Sequence, residues 1–285
     1  MDAPEYITRA VLQAVRDGRD LAWDGTGLWL AGSVAGLERP SVAVVGTRSA
    51  TAYGRQLART FARELGAAGC CIVSGLALGI DAAAHEGALD AQAPTVGVLG
   101  SGHARFFPGR NRELAQRILA AGGAVLSPFA PECDAMPWQF LARNELVAAL
   151  SDAVVVIEAP ARSGALNTAQ WAAPRVPVLA VPGDVDRRHV AGCHALIRDG
   201  AILARGPHDV LEVLQLPARP VRAAIVREGT AGVLLRALSC GERELDDLVD
   251  ATGSPAQNLL AELAILELEG LVERRGATRF ACSFD

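Results

Sequence analysis

The sequence predicts an α/β protein with a doubly wound, mostly parallel sheet and a small C-terminal winged-helix domain. Three observations lead there. From residue 41 onward, short runs of Val, Ile, Leu and Ala recur without the alternation of half-exposed strands, as strands buried on both faces require. Helical periodicities separate these runs, and the resulting βαβα rhythm is that of a sheet covered on both sides. Beyond a proline-containing linker the pattern becomes helical and closes in a short β-like tail, the order of a winged helix-turn-helix.

Taken in order, residues 1–40 form a lead-in too short to be a domain. Residues 5–17 carry the spacing of a short amphipathic helix. Trp23, Gly25, Gly27 and Trp29 follow in an irregular stretch expected to pack on the next domain. Strands are expected at 42–46, 70–74, 95–99, 124–127, 153–157 and 177–181, with a short one at 201–204. Helices are expected at 53–68, 79–91, 110–121, 138–150 and 164–173. Together they make one domain over 41–214, whose ligand crevice belongs beyond the carboxyl ends of the strands. Residues 215–221, Gln-Leu-Pro-Ala-Arg-Pro-Val, form the linker. The last domain, 222–285, has helices at 230–239, 242–251 and 255–268. Ser254 offers the third of these an N-cap, and Pro255 suits its first position.

Composition narrows the function classes. With 51% hydrophobic residues in 285 the chain can bury a sizeable core. No uncharged apolar window reaches the roughly 18 residues of a membrane span. The first residues lack the basic and apolar regions of a signal peptide, so a cytoplasmic location is expected. The six cysteines form no Cys-x-x-Cys pair and read as reduced thiols, with Cys70 and Cys71 facing opposite sides of a strand. All 27 basic residues are arginine, so any basic contact to a phosphate uses a guanidinium, which binds bidentately and stays charged. A net charge of −5 argues against nonspecific coating of duplex DNA. The acidic excess sits at the ends, while residues 41–216 carry 15 arginines against 15 acids.

Chemistry concentrates in four turns. Gly46-Thr47-Arg48 ends the first main strand, where glycine admits a close ligand and Arg48 supplies a charged fork. Ser74-Gly75 and the following residues to Gly79 offer a hydroxyl and backbone amides to an anion. Arg143-Asn144 lies within a helix, and Ser163-Gly164 with Thr168 opens another in the manner of a phosphate cradle. Ordinary turns, N-capping and surface charge account for each motif alone. Asp81 and His85 stand four apart on a helix; a structural hydrogen bond explains them better than a metal, since no third ligand is evident. No Gly-x-Gly-x-x-Gly fingerprint supports NAD or FAD, and no Walker lysine supports nucleotide hydrolysis. No cofactor is expected.

In this order the motifs resemble the DNA-processing protein A (DprA/Smf) family. The resemblance is carried by Val-Gly-Thr-Arg at 45–48, Tyr53-Gly54 and Ser-Gly-Leu-Ala-Leu-Gly-Ile-Asp at 74–81 with His85. It continues through Val-Leu-Gly-Ser-Gly at 98–102, Phe107-Pro108 with Asn111, Arg143-Asn144, Ser-Gly-Ala-Leu-Asn-Thr-Ala at 163–169, Val-Pro-Gly at 181–183 and Leu196-Ile197 with Gly200-Ala201. The resemblance implies an extended Rossmann-like domain that binds single-stranded DNA, dimerises and loads the RecA recombinase. That activity serves natural transformation and recombination and is noncatalytic. Carried over by position, it places Gly46, Arg48, Ser74, Gly75, Arg143, Asn144, Ser163, Gly164 and Thr168 in the DNA pocket, with Arg105, Arg110 and Asn111 flanking it. Phe106 and Phe107 are open to either base stacking or core packing.

Departures from the family pattern are informative. Glu145 follows Arg143-Asn144 where the family has a second arginine, and a carboxylate on a phosphate path weakens binding and its salt dependence. Phe107 replaces a tyrosine, Ser127-Pro128 replaces Ser-Glu, and Asn167 takes an apolar position. The third helix of the last domain carries Glu262, Glu267 and Glu269 and no arginine, which favours protein contact over a major groove. Arg274, Arg275 and Arg279 in the wing remain available to a backbone. Two other readings stay open. One is a nucleoside-monophosphate phosphoribohydrolase, against which Gln170 stands where a catalytic carboxylate is needed. The other is a winged-helix transcription regulator.

Overall fold

The computed structural model describes residues 3–16, 19, 21, 23–217, 229–238, 242–268, 271–276 and 278–282. They form two compact units, Met1–Val221 and Arg222–Asp285. In the first, chain order runs β1 (Glu5–Thr8), α1 (Arg9–Val15), β2 (Gly27–Gly32), β3 (Ser41–Val45), α2 (Ala52–Ala67), β4 (Cys71–Ser74) and α3 (Ile80–Asp90). It continues with β5 (Thr95–Val98), α4 (Arg112–Ala120), β6 (Ala124–Ser127), α5 (Pro137–Ala149), β7 (Ala153–Val156) and α6 (Gly164–Ala172). The unit ends with β8 (Val178–Ala180), α7 (Ala191–Arg198), β9 (Ile202–Leu203) and α8 (Pro207–Val213).

One nine-stranded sheet has the order β1-β2-β6-β5-β4-β3-β7-β8-β9. The seven strands from β6 to β9 are parallel, and β1 and β2 add an antiparallel margin. Alternate side chains of each strand go to opposite cores. Ala43, Val45, Val73 and Val98 pack with α1, α5, α6 and α7, while Val42, Val44, Ile72 and Val155 pack with α2, α3 and α8. Both faces being covered, the strands read as unbroken apolar runs. Cys71 and Cys70 divide between the same two cores, and burial pushes their thiols up to about 12 and about 11, so they stay protonated at neutral pH. No helix among the described residues is long and apolar enough to cross a membrane.

The lead-in departs from expectation. Residues 5–17 are not one helix: Glu5–Thr8 is a strand, and the helix starts only at Arg9. The stretch around Trp29 is not irregular either, since β2 pairs with β6 from Trp29↔Ser127 to Gly32↔Ala124. The aromatic and β-branched side chains of Tyr6, Ile7 and Thr8 find a partner in β2, and Tyr6 meets Trp29 edge-on at 5.5 Å. A free sheet edge overrides a short helical periodicity. The short helices α7 and α8 carried too few turns to be read from sequence.

The second unit contains α9 (Thr230–Leu238), β10 (Arg243–Glu244), α10 (Leu245–Thr252), α11 (Ala256–Leu268), β11 (Val272–Arg274) and β12 (Arg279–Cys282). Its sheet has the order β10-β12-β11. Leu234, Leu248, Leu259, Leu263, Leu266 and Phe280 form its core, completing the helices and wing of a winged helix. Residues 218–221 of the linker, Cys240 and Glu269 lie outside the described residues.

Candidate functional site

The strand order reverses between β3 and β7: later strands run one way from β3 through β4 to β6, and the other way from β7 to β9. Turns leaving two such neighbours diverge to opposite faces and leave a crevice between them. The crevice is a groove of about 730 Å³ whose wall includes Gly46, Thr47 and Arg48 after β3, and Arg162, Ser163 and Gly164 after β7.

The groove is held by contacts between turns. A Cβ at Gly46 would sit 2.5 Å from the Ile80 side chain and 2.8 Å from the Glu158 carbonyl, and the Thr47 N–H donates to that carbonyl at 2.7 Å. Gly79 has a φ of 84°, and a Cβ there would meet the Thr47 carbonyl at 2.4 Å. Glycine therefore permits both the turn and its close approach to the neighbouring loop. The Asp81 carboxylate accepts from the Gly75 and Ala77 N–H groups at 3.1 and 3.3 Å. Asn111 donates through Nδ2 to the Leu76 and Ala77 carbonyls at 2.9 and 3.0 Å.

Arg143 forms part of the groove floor. It is 4% exposed, and Nη1 donates to the Gly75 carbonyl and, at 2.5 Å, to the Val98 carbonyl. Asp81, 6% exposed, lies beside it. Burial pushes Arg143 down to about 10 against the attraction of Asp81, so the guanidinium is charged at pH 7. Burial raises the Asp81 carboxyl, and Arg143 with the two amides opposes that rise. The Arg143 bond to the Gly75 carbonyl ties the β4–α3 turn to α5. Asn144 does the same for α6, donating to the Gly164 carbonyl at 3.1 Å and to Asn167 Oδ1 at 3.3 Å. The unusual Asn167 thus has a partner in Asn144.

Of the twelve residues proposed from sequence, eight line the groove: Gly46, Arg48, Gly75, Arg143, Asn144, Ser163, Gly164 and Thr168. Four do not. Ser74 is buried and donates to the Val44 carbonyl at 2.7 Å, cross-linking two strands. Asn111 is the strut described above. Arg105 is exposed beside Glu132 and Asp134 at 3.9 and 3.6 Å. Arg110 is exposed outside the lining. Glu145 also departs from expectation: it is outside the lining, with Asp24 and Arg175 as its charged neighbours. Two residues turn a helix by about 200°, which carries Glu145 to the side away from Arg143.

Sequence reasoning missed Arg162, Pro137, Phe140 and Leu141. The last three precede Asn144 by seven, four and three positions, so helical spacing from a known groove residue would have found them. Arg48 Cζ stands 4.9 Å from the Phe140 ring centre, and Phe107 lies 5.8 Å from the same ring. Three guanidiniums, Arg48, Arg143 and Arg162, face one carboxylate, Asp81, in the lining. Ser163 caps α6, accepting from the Ala165 N–H at 3.3 Å, and α6 points its positive end into the groove. The site suits a chain of anions flanked by flat apolar groups. His85 is apart from it, with Nδ1 2.7 Å from Thr95 Oγ1 and burial pushing it down to about 3. Among the described residues no group of three or more His, Cys, Asp or Glu is placed to hold a metal ion.

Comparison with known proteins adds an independent line. The profile of DNA recombination-mediator protein A matches residues 19–215, and that of the DprA winged helix domain matches 216–277. A DNA processing protein DprA of Mycobacterium tuberculosis (strain ATCC 25618 / H37Rv) is 40% identical over 249 residues, 82% of this chain and 62% of its own. Protein Smf of Escherichia coli (strain K12) is 34% identical over 256 residues, 86% of this chain and 68% of its own. The chain thus spans less than two thirds of the mycobacterial relative. DNA processing protein A from Streptococcus pneumoniae superposes with a TM-score of 0.65 at 32% identity, covering 74% of each chain. The Helicobacter pylori protein, whose structure addresses its single-stranded DNA binding mode, gives 0.63 at 30% identity, covering 74% of this chain and 96% of its own.

Proposed function

The chain belongs to the DNA recombination-mediator protein A (DprA/Smf) family, and on that premise we propose that its groove holds the backbone of single-stranded DNA. The observation that carries the reading is the convergence of the β3–α2, β4–α3 and β7–α6 turns where the strand order reverses. Arg48 and Arg162 meet phosphates, the Gly164 N–H at the start of α6 receives another, and Phe140 and Phe107 meet bases. Contacts to backbone and ring faces tolerate many sequences. The protein then acts without catalysis in the cytoplasm, presenting the strand to the RecA recombinase in transformation and recombination. A homodimer fits the sheet margin, where β9 leaves Ile202 and Leu203 exposed on an edge strand.

The alternatives have less support. A phosphoribohydrolase needs a free carboxylate, whereas Asp81 is engaged by two amides and Gln170 lies outside the lining. A duplex reader needs a basic recognition helix, and no basic residue occurs in α11. In the wing, Arg279 pairs with Glu244 at 2.9 Å, Arg275 with Glu273 at 3.3 Å, and Arg274 covers Phe280 at 5.1 Å.

Titration with oligo-dT and with duplex of equal length, each at several ionic strengths, tests the reading. Single strand is expected to bind at least about tenfold tighter, with log K falling by about 0.7 per phosphate contact for each decade of salt. Equal or tighter duplex binding would overturn it. In the same assay Glu145→Arg is expected to leave both affinity and salt slope unchanged, because position 145 faces away from the groove.

A further inference from the structure

The first turn of α5 carries more apolar surface than the groove uses. Pro137, Phe140 and Leu141 face the groove, but Trp138 is outside it and 59% exposed, next to Met136 at 50%. Trp138 lies three positions before Leu141, so on a helix its side chain adjoins the groove wall. The Phe129 ring meets Trp138 edge to face, with centres 5.6 Å apart and planes at 89°. That contact holds the indole in place without covering most of it. A large, open aromatic surface continuous with a binding groove marks an interaction site.

We infer that Trp138, buttressed by Phe129, is a stacking platform for unpaired bases of the strand just beyond the groove. The inference rests on the single-strand reading above and extends it by a subsite. Charge decides which part of the strand meets the platform. The adjoining loop carries Glu132 and Asp134, both 79% exposed, with Arg105 between them at 3.9 and 3.6 Å. Two carboxylates against one guanidinium repel phosphate, whereas a base carries no charge. Bases therefore turn toward Trp138, and the backbone stays on the side of Arg48 and Arg162. Stacking on an indole face is indifferent to base identity, in keeping with a groove that reads backbone.

An oligo-dT length series with the full chain tests this, using Trp138→Ala, Trp138→Phe and Arg48→Ala beside the parent. With oligonucleotides longer than the groove, Trp138→Ala is expected to weaken binding by about tenfold, the scale of one lost stacked base. The shortest oligonucleotide that binds is expected to be unaffected, and Trp138→Phe to keep most of the affinity. The salt slope stays at the parental value in Trp138→Ala, since no phosphate contact is lost, but falls in Arg48→Ala. Parental affinity of Trp138→Ala at every length, with Arg48→Ala weakened, overturns the platform and leaves the groove reading standing. Parental DNA affinity together with lost self-association of Trp138→Ala overturns it in favour of a second copy on this surface. Failure of the parent to bind any oligonucleotide overturns both.

Discussion

Replacing Arg143 by alanine lowers the melting temperature on the order of 10 °C, and groove binding is lost through unfolding of the floor. Motif matching alone suggests a different outcome, weakened DNA binding in a stable protein. Burial decides between them. At 4% exposure, with Nη1 donating to the carbonyls of Gly75 and Val98, the guanidinium is committed inside the protein. Its removal leaves two carbonyls short of a donor and the 6% exposed Asp81 carboxylate without its nearest cation. Leaving a buried charge without its counter-charge costs about 3–5 kcal/mol. For a unit of this size each kcal/mol shifts the transition by roughly 2–4 °C. Calorimetry measures the shift. A double variant, Arg143→Met with Asp81→Asn, is expected to regain part of the loss because the stranded charge goes too. A wild-type transition in Arg143→Ala, with weakened oligo-dT binding, would mean that the guanidinium serves the ligand instead.

Arg48→Ala has the opposite profile. The side chain is exposed at the groove wall, its guanidinium makes no hydrogen bond or ion pair among the described residues, and its ring contact is with Phe140 at 4.9 Å. An exposed contact of that kind contributes only about 0.5–1 kcal/mol, so the melting temperature should hardly move. A charge-assisted bond to phosphate is worth about 1.5–3 kcal/mol, and oligo-dT affinity is expected to fall by about 10- to 100-fold. The salt slope drops with it by about one phosphate contact. Arg48→Lys keeps the charge but loses the bidentate fork and the flat stacking surface, so it recovers the slope better than the affinity. Unchanged affinity in Arg48→Ala removes the groove assignment.

These two arginines separate what a motif can say from what it cannot. Both belong to segments that resemble the family, and both line the same groove. One is solvent-facing and the other structural, because Arg48 follows a strand into a turn at the crevice while Arg143 lies on a helix face turned toward Gly75. Glu145 makes the same point: adjacent to Asn144 in sequence, it is outside the groove lining and has Asp24 and Arg175 as its charged neighbours. Ser74 and Asn111 occupy motif positions and hold the turns rather than face the groove.

The sequence by itself determined the parallel strands, the helices between them, the winged helix, and the glycine turns at Gly46 and Gly79. Periodicity and turn chemistry are local properties, set by neighbours within a few residues. Only the tertiary structure decided that β7 lies beside β3, which opens the groove between their turns, and that Tyr6, Ile7 and Thr8 extend the sheet rather than a helix. It also decided which polar groups lose water, since desolvation depends on residues far away in the chain: Arg143 is buried by a loop 68 positions earlier.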